Sequence, residues 1–179
     1  MGAREASLQA VMQNHFDLFG LAPAYALEPE ALERSYREIQ SRVHPDRFAH
    51  AGDAERRASL QWTTRVNEAY RTLKDPVQRA KHLLELNGVD VAFETNTAMP
   101  ADFLAQQIEL CESLEEAKTP AALDQMRKGL SQQRSLLEKQ IAEAIDAKKD
   151  YAGAAGLVRK LQFLDKLDSE IDAAYETIE

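Results

Sequence analysis

The segment "LERSYREIQSRVHPDRF", residues 32–48, decides the fold of the N-terminal half of the chain. Apolar residues recur in it at the spacing of a helix, which predicts the buried stripe of an α-helix. They are Leu32, Tyr36, Ile39 and Val43. Arg34 and Arg37 fall on the opposite side. Pro45 predicts the end of this helix, because the residue before a proline is disfavoured in the α region.

A second, longer helix is predicted after a loop over residues 44–52. Asp53 is its expected N-cap, and its apolar stripe indicates the face that it buries. The stripe consists of Ala58, Trp62, Val66, Ala69, Tyr70 and Leu73. Asp75-Pro76 ends this helix and starts a shorter one that stops at Asn87-Gly88. The two longer helices form an antiparallel hairpin, whose loop displays His44-Pro45-Asp46.

The pattern predicts an all-α protein with two folded parts. Residues 1–13 read as a leader, 14–88 as the first helical domain and 89–100 as a linker. Residues 101–179 contain three further helices, which bury their apolar stripes most simply as a three-helix bundle. Their expected bounds are 101–117, 120–148 and 151–177.

Composition excludes several classes of protein. The chain has 179 residues and one cysteine, Cys111, so it has no internal disulfide and does not hold a structural zinc site by itself. No apolar run has the length of a membrane span and no signal peptide is present, so we expect a soluble, cytoplasmic protein. The net charge of −8 is uneven: residues 34–79 carry ten Lys/Arg and six Asp/Glu, and residues 100–179 carry ten and sixteen.

His44-Pro45-Asp46 has alternative interpretations as a site. A metal site at His44, Asp46 and His50 needs further ligands, and no second cluster is apparent, since His15 and His82 stand alone. A nucleophile and base lack an orienting group, and nucleic-acid binding lacks a groove-reading motif in this acidic protein. We therefore predict no catalytic residue, metal, cofactor, nucleic acid or membrane partner. A proline-terminated helix with an Asp in its turn remains the plain structural alternative.

The order of motifs resembles the J-domain, the module by which DnaJ-type co-chaperones activate heat-shock ATPases. A basic helix precedes His44-Pro45-Asp46, and "NEAY" and Asp75-Pro76 follow on the facing helix. The resemblance implies close contacts to the ATPase from the tripeptide, and Asn67 as a weaker candidate on the facing helix. It also implies complementary charge from the arginines, which mainly sets encounter rate and orientation. These are Arg34, Arg37, Arg42 and Arg47.

The C-terminal half carries a second resemblance. The segments "ADFLAQQIELCESLEE" (101–116) and "LVRKLQFLDKL" (157–167), with "LFGL" (18–21), resemble the HscB family. These J-proteins of iron–sulfur cluster assembly bring the scaffold IscU to the chaperone HscA. The absence of CxxC motifs is typical of the bacterial form. The resemblance implies two partners, an HscA-type ATPase and an IscU-type scaffold. The alternative is that this protein is a J-protein that delivers another client.

The first bundle helix has a predicted core face and a separate apolar pair. Leu104 and Ile108 lie about 100–140° from the centre of the core face, beside an acidic strip. They either edge the core, cover a neighbouring element or bind a partner. The resemblance implies a scaffold-binding surface of Leu104, Ala105, Ile108, Glu109, Glu112, Glu116 and Phe163. Ala105 departs from the family, which often has a larger apolar residue there, and Cys111 is expected to be half-buried.

Overall fold

The computed structural model describes residues 14–90 and 101–178 and shows an all-helical protein with no strand in either range. The all-α prediction is therefore confirmed. The chain divides into two compact units, the first ending at Leu86 and the second beginning at Asn87. The predicted leader and residues 91–100 of the predicted linker lie outside the described residues.

In residues 14–86, the first unit is a helical hairpin with a short helix on either side of it in sequence. Its elements are α1 (His15–Leu18), α2 (Pro29–Val43), a 3-10 turn (Pro45–Phe48), α3 (Asp53–Lys74) and α4 (Pro76–Leu86). Proline sets three of these starts, because its fixed φ suits the first turn of a helix. Asp75 caps α4 by accepting a hydrogen bond from the Gln78 backbone N–H at 2.9 Å.

The core of the first unit lies where α1, α3 and α4 meet the start of α2. Phe16 and Phe19 of the N-terminal segment are buried there, together with Leu32 of α2. Buried side chains of α3 and α4 complete it. They are Val66, Ala69, Leu73, Val77, Ala80, Leu83 and Leu84. Removing this apolar surface from water is the main favourable contribution to folding of the unit.

The predicted stripe of α3 is wrong in its first turns. Ala58 and Trp62 are exposed, Trp62 with 44% of its surface accessible, and Ser59 is buried instead. The Ser59 hydroxyl donates a hydrogen bond to the Val43 carbonyl oxygen at 2.6 Å, and Thr63 donates to the same oxygen at 3.2 Å. The end of α2 leaves carbonyls without helical partners. Polar side chains of α3 therefore serve this end better than apolar ones.

The start of α3 also differs from the prediction by one position. Gly52 occupies the N-cap and makes no side-chain cap, and Asp53 is the first helical residue. Asp53 still favours the helix, because a carboxylate in the first turn interacts well with the helix dipole. It is also paired with Arg56 one turn later.

Within residues 101–178, the second unit contains three helices, in agreement with the predicted bundle. They are α5 (Ala101–Glu116), α6 (Pro120–Ala142) and α7 (Tyr151–Ile178), with a π-helical segment (Glu143–Ala147) at the end of α6. The Thr119 side chain caps α6 by accepting from the Ala122 N–H at 3.3 Å. Asp150 caps α7 in the same way, accepting from the Gly153 N–H at 2.9 Å.

Helices α6 and α7 form the centre of this unit. One core cluster joins them through buried leucines and Ile171. Its buried members are Leu123, Leu130, Leu164, Leu167 and Ile171. Arg127 pairs across the two helices with Asp168 at 3.2 Å and also with Asp172. Helix α5 packs against this cluster through Leu110 and Leu114, and its Phe103 is only 5% exposed. Cys111 of α5 is exposed, so the expectation that it is half-buried is wrong.

Candidate functional site

The His44-Pro45-Asp46 turn lies immediately after α2, where Pro45 begins the 3-10 turn. The Asp46 backbone N–H donates a hydrogen bond to Nδ1 of His44 at 3.3 Å. Because Nδ1 accepts here, Nε2 carries the proton of the neutral ring. The same Nδ1 lies 3.4 Å from the Asp46 carboxylate, a contact that becomes an ion pair only when the ring is protonated. The turn is thus ordered by its own short-range contacts.

Both polar side chains of this turn are available to a partner. The His44 side chain is 52% exposed and the Asp46 side chain 89% exposed. Arg47 is tied back to the end of α2, since its Nη1 donates to the Ser41 carbonyl oxygen at 2.8 Å. That bond satisfies one more carbonyl of the helix end. It also fixes where the guanidinium of Arg47 stands relative to the tripeptide.

The predicted basic face of α2 is present. Arg34, Arg37 and Arg42 are all exposed. Arg37 pairs with Glu33 at 2.8 Å and Arg42 with Glu38 at 2.5 Å, each one helical turn away. Such exposed pairs are weak. A more acidic partner surface therefore competes for these arginines at little cost.

A polar network that the sequence analysis missed lies behind this face, between α2 and α3. Oδ1 of Asn67 accepts hydrogen bonds from the Tyr36 hydroxyl at 2.9 Å and from the Gln40 amide. The rings of Tyr36 and Tyr70 stack with their centroids 4.0 Å apart. Asn67, predicted as a partner contact, thus uses its carboxamide oxygen to join the two helices of the hairpin. The i, i+4 spacing of Tyr36 and Gln40 is the only signal of this network in the sequence.

Tyr70 extends the network to the surface. Its hydroxyl donates a hydrogen bond to Glu33, and this bond is the largest cause that lowers the pKa of the Glu33 carboxyl, with Arg37 next. The same bond raises the pKa of Tyr70. Glu33 is therefore held ionised between Tyr70 and Arg37. The cation of Lys74 also lies over the Tyr70 ring, 5.4 Å from its centroid.

His15 and His82, which stand alone in the sequence, are neighbours in the structure. Their rings stack with centroids 4.3 Å apart, and the His15 backbone N–H donates to Nε2 of His82 at 3.1 Å. Burial, and to a smaller extent the nearby His15, lower the pKa of His82 to about 4. Burial is also the largest cause that lowers the pKa of His15. The pair fastens the start of α1 to α4 and acts in stability rather than at the tripeptide.

The predicted scaffold-binding residues of α5 lie on its exposed side. Leu104 is 44% exposed and Ile108 59%, and the two lie one turn apart on the same side of α5. Ala105 and the predicted glutamates are exposed beside them. These glutamates are Glu109, Glu112 and Glu116. The expectation that Leu104 and Ile108 lie off the core face is therefore correct.

Phe163 of α7 is half-buried and contributes to the core of the second unit as well as to its surface. Its ring meets the ring of Phe103 edge-on, with centroids 5.9 Å apart. The cation of Lys160 lies over the ring of Phe103, 5.2 Å from its centroid. Phe163 thus helps to hold α5, the helix that carries the exposed apolar pair, on α7.

Within residues 14–90 and 101–178, no group of three or more His, Cys, Asp or Glu side chains is placed to hold a metal ion. No helix of the same ranges is long and apolar enough to cross a membrane.

The first unit, a helical hairpin with an exposed His-Pro-Asp turn beside a basic helix, is a J-domain, and the second is a helical bundle. This combination defines the class of J-domain co-chaperones. The sequence profile described as "HSCB C-terminal oligomerisation domain" matches residues 99–172. The "Co-chaperone protein HscB homolog" of Azoarcus sp. (strain BH72) is 44% identical over 94% of this chain and 97% of that protein. The homologue from Burkholderia vietnamiensis is 45% identical over 95% of this chain and 98% of that protein.

Solved structures agree with these sequence relationships. The chaperone HscB from Vibrio cholerae superimposes with a TM-score of 0.83 at 33% identity, covering 93% of this chain and 99% of that one. Human co-chaperone protein HscB gives a TM-score of 0.86 at 26% identity, and the match covers 89% of this chain and 81% of the human one. The chain belongs to the HscB family, the co-chaperones of iron–sulfur cluster assembly. Members of this family are not enzymes.

Proposed function

We propose that the first unit stimulates ATP hydrolysis by an HscA-type heat-shock chaperone. The exposed His44-Pro45-Asp46 turn supplies the close contacts, and the arginines of α2 orient the encounter with an acidic surface. The unit supplies no chemical group for hydrolysis. It acts by binding the hydrolysing state of the ATPase more tightly than the other state, as any such coupling requires.

We propose that the second unit holds an IscU-type scaffold. The single observation that carries this proposal is the exposure of Leu104 and Ile108 beside Glu109, Glu112 and Glu116 on one side of α5. Apolar anchors supply affinity, whereas flanking charges mainly set orientation and rate. The partner surface that fits is therefore basic with apolar side chains at its centre. Ala105 provides a smaller contact than a long apolar residue would.

The two activities work together because one chain carries both. A client bound to the second unit is held at a high effective concentration near the ATPase bound to the first unit. Client delivery and ATPase stimulation then depend on each other. The same proposal places the protein in the cytoplasm, which accords with a composition that has a single cysteine.

ATP turnover by a purified HscA-type chaperone tests this function. We expect stimulation by this protein alone and a larger stimulation when an IscU-type scaffold is also present. The effect of both together should exceed the sum of the separate effects. Additive effects would contradict delivery of the scaffold, and no stimulation by the protein alone would contradict the J-domain proposal.

Delivery of a different client is the alternative function. It shares the J-domain half of the proposal and differs only in what the second unit binds. Stimulation of the chaperone without detectable binding of the IscU-type scaffold in titration calorimetry would favour this alternative.

A further inference from the structure

The second unit contains an open cleft between α5 and α6 with a volume of about 490 Å³. Leu110 of α5 and Met126 and Leu130 of α6 give it an apolar lining. Glu116, one of the proposed scaffold-binding residues, stands at its edge. The cleft therefore adjoins the proposed scaffold-binding surface.

Gly129 lines the same cleft from within α6. Glycine in a helix interior is less stable than alanine. A Cβ added at Gly129 would meet no atom within 4 Å, so packing within the described part of the chain does not require a glycine there. Only a side chain longer than a methyl group at this position would fill the cleft.

An exposed leucine continues the apolar line beyond the cleft. Leu136 follows Gly129 by seven residues, which places it on the same side of α6, about two turns further on. It is 58% exposed. Together with the cleft it extends the apolar surface on this side of α6, and larger exposed apolar patches mark interaction sites.

The cleft and the apolar pair of α5 lie on either side of a row of glutamates. Each residue of a helix is rotated by about 100° from the one before it. Measured around the axis of α5 from Ile108, Glu116 therefore lies at about 80°, Glu109 at about 100° and Ser113 at about 140°. Ser113 lines the cleft. The glutamates thus form a ridge with an apolar surface on each side.

We propose that the cleft and Leu136 form a second apolar contact for the scaffold, on the far side of the glutamate ridge from Leu104 and Ile108. The occupant is a basic segment of the scaffold that carries apolar side chains on both sides of its charges. Residues 100–179 carry sixteen acidic and ten basic residues, which favours a basic partner. This inference rests on the proposed scaffold-binding function.

Filling the cleft is the direct test. In Gly129→Gln, a long side chain occupies the cleft, and we expect affinity for a purified IscU-type scaffold to fall roughly five-fold or more in titration calorimetry. Gly129→Ala is the matched control. Its single methyl leaves the cleft open and favours the helix, so we expect a raised melting temperature and unchanged affinity. Equal affinity of both variants and the parent protein would overturn the inference.

Leu136 is tested by a pair of substitutions at equally exposed leucines. Leu136→Gln should weaken scaffold binding by roughly the same factor. Leu60→Gln changes a leucine of the first unit that is also 58% exposed, and it should leave the affinity unchanged. An effect of equal size from both substitutions would mean a general change in the protein and would overturn the inference.

The outcomes separate this inference from the proposed function. If Leu104→Ala weakens binding and Gly129→Gln does not, the function stands and the cleft is not a contact. If the parent protein does not bind the scaffold, both proposals fail. If Gly129→Gln instead changes the sedimentation coefficient of the protein alone, a second copy occupies the cleft and the inference is wrong.

Discussion

Asn67 accepts a hydrogen bond from the hydroxyl of Tyr36 at 2.9 Å, which joins the two long helices of the J-domain. Gln40 donates to the same carboxamide oxygen. This arrangement gives Asn67 a structural role that does not depend on any partner.

Asn67→Ala should lower the free energy of unfolding by about 1 kcal/mol, because Tyr36 and Gln40 lose their common acceptor but remain partly hydrated. Asn67→Asp retains an acceptor oxygen at this position, so the free energy of unfolding should fall by less. Urea unfolding followed by circular dichroism measures both. An alanine variant as stable as the parent protein, yet defective in ATPase stimulation, would make Asn67 a partner contact instead.

Asp46→Asn should abolish stimulation of the HscA-type ATPase and change the stability by less than about 0.5 kcal/mol, because the side chain is 89% exposed. His44→Gln should act in the same way. ATP turnover and thermal unfolding are the two measurements. Asp53→Asn is the matched control: its carboxylate is 77% exposed in the same unit, and its loss should leave stimulation unchanged. Full stimulation by a folded Asp46→Asn protein would refute the role of the tripeptide.

The sequence was sufficient for features that depend on local periodicity and on proline. Helix α2, its end before Pro45 and the three helices of the second unit follow from such signals. The exposed position of Leu104 and Ile108 follows from the angle between residues on one helix. These features depend on neighbours within a few turns, which a single sequence shows directly.

Features that depend on distant residues were not predictable in the same way. The stacked pair of His15 and His82 joins positions 67 residues apart. The burial of Ser59 in place of Trp62 depends on the carbonyl of Val43 at the end of another helix. The cleft beside Gly129 exists only because α5 lies against α6. Each of these features requires the tertiary arrangement of the helices.

Leu104→Ala should weaken scaffold binding more than Glu116→Ala does. An apolar side chain that becomes buried in the complex typically contributes about 2 kcal/mol or more to binding, which corresponds to roughly thirty-fold in affinity. A charge at the rim of the interface contributes less than about 1 kcal/mol. Leu104 is 44% exposed, so its truncation should hardly affect folding. Titration calorimetry measures both variants, and the reverse order would contradict this placement of the interface.

Phe163→Ala should weaken scaffold binding and also destabilise the second unit, by about 2 kcal/mol, because its half-buried ring packs against Phe103. Phe163→Leu is the companion variant, since it retains most of the apolar volume and should recover most of the stability. Calorimetry and urea unfolding on both variants separate the two effects. Normal binding by a Phe163→Ala protein that is shown to be folded would remove Phe163 from the interface.

His82 should make the first unit less stable as the pH falls below neutrality. Its folded pKa of about 4 lies below the ordinary value of 6.5, so the unfolded chain takes up a proton first. The contribution of neutral His82 to stability is therefore fully present above about pH 6.5 and is lost as the pH falls towards 4. From this group alone we expect a loss of about 2 kcal/mol between pH 7 and pH 5. The nearby charges of Arg65, Glu68 and Glu85 act mainly on His15.

His82→Gln isolates this contribution, because glutamine does not titrate and its side-chain oxygen still offers an acceptor to the His15 N–H. We expect urea unfolding of this variant to show a markedly smaller loss of stability between pH 7 and pH 5 than the parent protein shows. His44→Gln is the matched control, since His44 is exposed in the same unit and its replacement should leave the pH dependence in place. Parallel pH profiles for His82→Gln and the parent protein would mean that protonation of His82 does not oppose folding.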